Sequence, residues 1–179
     1  MLDPDTGNRI VFNGEIYNYQ SLRAELITVG HQFRSHSDTE VLLKLYAVEG
    51  KRMLRRLRGT FAFAIWDQAK QGMLIARDAF GIKPLYIADD GSTLRLASQV
   101  KALLAGGAVE TTPEPAGHVG FFIWGSVPEP YTLYRGIHAL PAGHSLWVEQ
   151  GGTKQQQTFI HLNQVFTAPE SEETHIEPA

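Results

Sequence analysis

Cysteine is missing altogether from these 179 residues. That absence excludes a disulfide framework, a thiolate metal site and a cysteine nucleophile carried on this chain. No apolar run approaches the roughly 20 residues that span a bilayer, and the N-terminus lacks the basic-then-apolar order of a signal peptide. The expectation is a cytoplasmic protein without a membrane partner. Nor is there an excess of one charge: the formal net charge of -3 offers no broad attraction to nucleic acid. HExxH, Gly-x-Ser-x-Gly and the phosphate-cradling GxxxxGK[ST] loop are all absent, and no two of the seven histidines stand at a helical ligand spacing. No metal site is expected. What is present, 43% hydrophobic and 20% charged residues, suits one globular domain with a real core.

Along the chain, Arg9 to Asn13 reads as a short buried strand ending at Gly14. Tyr19 to Val29 carries Leu22, Leu26 and Val29 at helical spacing before Gly30. A second strand is expected over His31 to Ser35. Ser37 or Asp38 then caps a helix whose buried side is Val41, Leu42, Leu45 and Tyr46, closed by Gly50. Between Lys51 and Arg58, five basic residues interleave with Met53, Leu54 and Leu57. The three apolar residues share one helical stripe, so the cations read as a solvated face rather than a nucleic-acid patch.

From Thr60 the rhythm turns to strands: Phe61 to Asp67, Met73 to Asp78, Leu85 to Ala88 and Leu94 to Ser98, with turn residues at Gln71-Gly72 and Asp89 to Ser92. Val100 to Leu104 predicts a short helix, and Pro113 starts another that runs to Trp124. His144 to Glu149 and Gln155 to Ile160 form a last hairpin. Residues 1–162 are expected to be one domain, and the acidic, proline-containing residues 163–179 a linker or frayed tail. Trp66 and Trp124 are assigned to the core. Arg77 and Asp78 are read as an ion pair at a turn between strands. Phe61 to Trp66 carries bulky residues on both faces, which favours a layered sheet covered by helices.

Asn13-Gly14-Glu15 is the stretch with the most chemical content. An asparagine at a strand end can aim its amide at a developing oxyanion, and the glycine after it lets a backbone N–H reach the same point. As a bare dipeptide Asn-Gly is a hairpin turn. Its company decides otherwise: Asn13-Gly14-Glu15-Ile16-Tyr17-Asn18, His36-Ser37-Asp38-Thr39-Glu40, the run Leu57 to Asp67, Arg77 to Tyr86, and Ser98 to Leu103. In this order and spacing, from about Arg9 to about Val148, they resemble the class II glutamine amidotransferase domain of glutamine-hydrolysing asparagine synthetases.

The resemblance implies an α+β fold, the four-layer αββα sandwich of N-terminal-nucleophile hydrolases with mainly antiparallel sheets. It also implies roles: Asn13 and Gly14 as the oxyanion hole, Glu15 and Asp38 as the pair binding the ammonium of glutamine. Two carboxylates match one ammonium, while Asp38 taken alone reads as a helix cap. The family's nucleophile is a cysteine at residue one, whereas Met1 here precedes Leu2. The upstream segment supplying an arginine for the glutamine carboxylate is not in this sequence, nor is an SGGxDS-like pyrophosphate loop. The expectation is therefore an N-terminally truncated fragment, missing its first strands, inactive alone and prone to self-association. By the same resemblance its partners are glutamine and a synthetase domain that uses ATP and magnesium; no cofactor is expected on this chain. The competing readings are a non-catalytic scaffolding domain and a gene-model fragment without independent function.

Overall fold

The computed structural model describes residues 1–160. The elements run β1 (Arg9–Ile16), α1 (Tyr19–Thr28), α2 (Asp38–Glu49), a 3-10 turn (Gly50–Arg55), β2 (Gly59–Asp67), β3 (Gly72–Arg77), β4 (Tyr86–Asp89), β5 (Leu94–Ala97), α3 (Val100–Ala105), α4 (Pro115–Trp124), β6 (Ile137–Ala139), β7 (His144–Glu149) and β8 (Lys154–Thr158). Five strands form an antiparallel sheet in the order β1-β2-β3-β7-β8, and three form a second in the order β5-β4-β6.

The period of two along each strand builds the layers. On one face of the large sheet Phe61, Phe63, Ile65, Ile10 and Leu74 lie under Leu22 and Leu26 of α1 and Val41, Leu42 and Leu45 of α2. On the other, Ala62, Ala64, Ile75 and Leu146 meet Leu85 and Ile87 of the second sheet. Ala88 and Ile137 on that sheet's outer side pack against Leu103 of α3. Helix, sheet, sheet and helix are thus stacked as expected, in an α+β arrangement. Small alanines between the sheets and large aromatics under the helices match the widths of the two gaps.

Several local expectations are corrected. His31 to Ser35 is not a strand, because the amides of Arg34 and Ser35 donate to the Glu40 carboxylate (2.8 and 2.7 Å) instead of to a neighbouring strand. β1 does not end at Gly14 but runs on to Ile16. Helix α4 begins at Pro115 rather than Pro113, with Glu114 as the cap accepting the Ala116 N–H. β6 escaped sequence reading, since three residues are too few to show a period. Trp124 is 74% exposed and Trp66 half-buried, while the third tryptophan, Trp147, closes the helix-side core. The tail assigned to residues 163–179 lies outside the described residues. Among the described residues no helix is long and apolar enough to cross a membrane.

Candidate functional site

β1 is the outer strand of the large sheet, and it pairs with β2 in unbroken register from Arg9↔Trp66 to Ile16↔Gly59. Its inner backbone groups are therefore those of the odd residues. The even residues point to the free edge: the Ile10 N–H donates to Met1 O at 2.9 Å, and the Ile16 N–H donates to Asp38 Oδ2 at 3.1 Å. Gly14 lies in the same phase, so its N–H faces outward between them. Position 14 must be glycine for two reasons. Its φ is +150°, and a Cβ there would lie 2.2 Å from the Thr60 carbonyl oxygen and 2.7 Å from Phe61 Cα.

Side chains follow the opposite alternation. Ile10 and Ile16 turn toward the helices, which leaves Val11, Asn13 and Glu15 on the face toward the second sheet. There Asn13 donates through Nδ2 to Ser98 Oγ at 3.1 Å, at the rim of an open cavity of ≈ 270 Å³ floored by Ala62, Ala64 and Leu85. Asp38 arrives from the helix side. Ser37, not Asp38, caps α2 by accepting the Thr39 N–H at 3.1 Å, which leaves the Asp38 carboxylate to reach across to Ile16. The structure thus carries Asn13, Gly14 and Glu15 on β1 and brings the Asp38 carboxylate to the free edge of that strand through the Ile16 N–H.

The support beneath the site is charged and buried. Burial raises the Glu40 carboxyl, but the Ser35 hydroxyl and the amides of Arg34 and Ser35 outweigh it and hold the group below its ordinary value. These bonds fix the turn that delivers Ser37 and Asp38. Burial acts in the same sense on Asp3, where bonds from Thr6 and Lys44 prevail and lower the carboxyl.

A family model described as a glutamine amidotransferase domain matches residues 1–160. The chain belongs to that family. Among similar proteins, this amidotransferase domain is 37% identical to asparagine synthetase [glutamine-hydrolyzing] 3 of Bacillus subtilis over 144 residues, which is 80% of the domain's chain and 24% of that protein. It is 38% identical to asparagine synthetase B of Escherichia coli over 83% of the chain and 24% of that protein. A putative asparagine synthetase of Mycobacterium bovis is 44% identical over 75% of the chain and 21% of that protein. The chain thus spans about a quarter of the length of these relatives. Its fold resembles that of the glutamine phosphoribosylpyrophosphate amidotransferase of B. subtilis, with a TM-score of 0.61 at 23% identity over 88% of this chain and 30% of that one. That likeness bears out the expected four-layer αββα fold.

One sequence expectation about this amidotransferase domain is corrected, and one residue was missed. Arg77 does not pair with Asp78. It bonds to the carbonyls of Lys83, Leu140 and Gly81 and to Glu129 Oε1, while Asp78 accepts the amides of Phe61, Phe80, Ile82 and Lys83. Neighbours on a strand point to opposite faces, so each finds its own partners. Ser98 was visible as the first residue of a matching block, but its bond to Asn13 depends on where the second sheet lands.

Proposed function

We propose that this domain is the glutamine-hydrolysing part of an asparagine synthetase and works in the cytoplasm. Glu15 and Asp38 hold the substrate ammonium, and the Asn13 amide and the Gly14 N–H meet the oxyanion formed when the side-chain amide is attacked. Net hydrolysis adds water across the amide C–N bond, leaving glutamate and releasing ammonia. The ammonia then serves a second domain, where aspartate activated with ATP and magnesium becomes asparagine. ATP and magnesium belong to that second site. The observation that supports this reading is the Asp38 to Ile16 bond, which brings a carboxylate to the edge of β1 that the Gly14 N–H faces.

On this reading the nucleophile is the family's cysteine, supplied by a segment outside these 179 residues, which contain none. The free edge of β1 is the place for it. Met1 already pairs antiparallel with Ile10 through two bonds, of 2.7 and 2.9 Å, and a strand continuing that register passes Phe12 and then Gly14. The test is glutamate release from glutamine. The chain alone should give none. A peptide beginning with cysteine and continuing with the N-terminal segment of the B. subtilis relative should raise the melting temperature and produce glutamate, and Asn13→Ala should abolish that activity. Turnover by the unaided chain, or a peptide that neither binds nor activates, would overturn the reading.

A further inference from the structure

A second cleft opens at the end of α2 opposite to Asp38, about 18 Å of helix away. Its floor is the helix-side face of the large sheet, where Trp147 stands opposite Gln155 of β8, and Glu149 opposite Gly72 of β3. β8 lies exposed from Lys154 to Gln157, so the helical layer ends short of it. Gly72 makes the room: a Cβ there would lie 2.3 Å from Trp147 Cζ2, and only glycine admits the indole. Tyr46, Lys51 and Lys70 complete the walls of a space of ≈ 430 Å³, within the range of small-molecule sites.

The charges single this cleft out. Lys70 is held, since its Nζ donates to Asp67 Oδ2 at 2.8 Å, and the same oxygen accepts the Tyr46 hydroxyl at 2.9 Å. Lys44 lies between Asp3 and Asp5, and Lys154 lies against Asp89. Lys51 has no such carboxylate among the described residues; its Nζ sits over the Trp147 ring, 4.8 Å from the centroid. Glu149 faces the same cleft and forms no ion pair there. Burial first, and then the Lys70 ammonium, push the Lys51 amine below its ordinary value, while Glu149 acts the other way. Lys51 thus feels a nearby cation and a nearby anion and bonds to neither.

We propose that this cleft binds a free α-amino acid, its carboxylate on the ammonium groups of Lys51 and Lys70, its own ammonium on Glu149 and its side chain along Gln155. A plain anion would relieve the repulsion between the two lysines but would meet Glu149, and a plain cation would meet the lysines. A zwitterion answers both, because its two charges stand on one carbon. The cleft shares no residue with the Gly14 site, so this binding stands whether or not the domain hydrolyses glutamine.

Trp147 reports on the cleft directly. The experiment uses the 179-residue chain with Asp38→Ala, which removes a carboxylate proposed to hold an ammonium at the other site, and with nitrogen-15 in its three tryptophans. Trp66→Phe and Trp124→Phe assign the indole signals. L-glutamine in the millimolar range should move the Trp147 signal to saturation and leave the other two in place. N-acetyl-L-glutamine, which has no ammonium, and L-glutaminamide, which has no carboxylate, should bind about fivefold more weakly or worse, as should L-glutamine to Lys51→Gln. Glu149→Gln should remove the preference for L-glutamine over its N-acetyl form, and Lys101→Gln, on exposed α3 surface, should change nothing. The ligand series needs no variant in the cleft, so it decides the matter even if Lys51→Gln melts early. No saturable movement of Trp147, an equal response to all three ligands, or full binding by a folded Lys51→Gln would overturn the proposal.

Discussion

Asn13 Nδ2 donates to Ser98 Oγ at 3.1 Å across 85 residues of sequence. The bond joins the edge of the large sheet to the end of β5, and it decides which end of the Asn13 amide faces the cavity between the sheets. One amide hydrogen is held by Ser98, and the second is the one proposed above to meet an oxyanion.

The site glycine should tolerate no side chain. Gly14→Ala combines a positive φ with a Cβ 2.2 Å from the Thr60 carbonyl oxygen, so it should cost on the order of 3 kcal/mol. For a chain of this size, that corresponds to a fall in Tm of roughly 10 °C. A thermal scan of the variant matching the native one would show that β1 and β2 do not approach as described.

Acid should loosen the loop that carries Asp38. The carboxyls of Asp3, Glu40 and Asp67 are all lowered: burial opposes this in each, and hydrogen bonds from Thr6, Ser35 and Lys70 respectively lead the effects that outweigh it. A carboxyl lowered by folding adds stability above its unfolded value. These contributions are therefore complete above the ordinary values of 3.8 to 4.5 and are lost as pH falls through the folded ones. Urea titrations from pH 7 to pH 3 should show declining stability, with a shallower decline in Glu40→Gln, which should itself cost on the order of 2 kcal/mol at pH 7. A slope unchanged by that substitution would remove Glu40 from the account.

Arg77 should be far less replaceable than its acidic partner. It is buried and satisfies three carbonyls as well as Glu129, a geometry that lysine cannot copy. Arg77→Lys should cost about 3 kcal/mol in denaturant unfolding, whereas Glu129→Gln, whose side chain is half-exposed, should cost less than about 1 kcal/mol. Equal costs would mean that the ion pair, and not the carbonyl cluster, is what Arg77 supplies.

Free glutamine should bind the isolated chain weakly. In the function proposed above Glu15 and Asp38 hold its ammonium, and a carboxylate left without a cationic partner removes on the order of a few kcal/mol. Calorimetry should detect no sub-millimolar binding until the N-terminal peptide is added, and Asp38→Ala should then abolish it. Tight binding by the chain alone would mean that one of its own cations completes the clamp.

The sequence alone determined the layer logic and the family, and it named where to look for a site. The strand run of Phe61 to Ile65, the helical spacing of Val41 to Tyr46 and the glycine at position 14 are local patterns, each enforced by the backbone geometry of a single element. The blocks around Asn13-Gly14-Glu15 and Asp38 also identified the family without any three-dimensional information. Tertiary structure decided everything that depended on a distant partner. Whether His31 to Ser35 became a strand turned on the Glu40 carboxylate, and whether Asp38 capped a helix or crossed to Ile16 turned on Ser37 taking the cap. Arg77 found three carbonyls and Glu129 instead of its neighbour Asp78 because adjacent strand residues face opposite ways. The same dependence sent Trp124 outward: Gly117 and Gly120 admit Thr132 and Pro128 to the inner side of α4, and contacts with residues beyond the end of the helix leave no mark in its own periodicity.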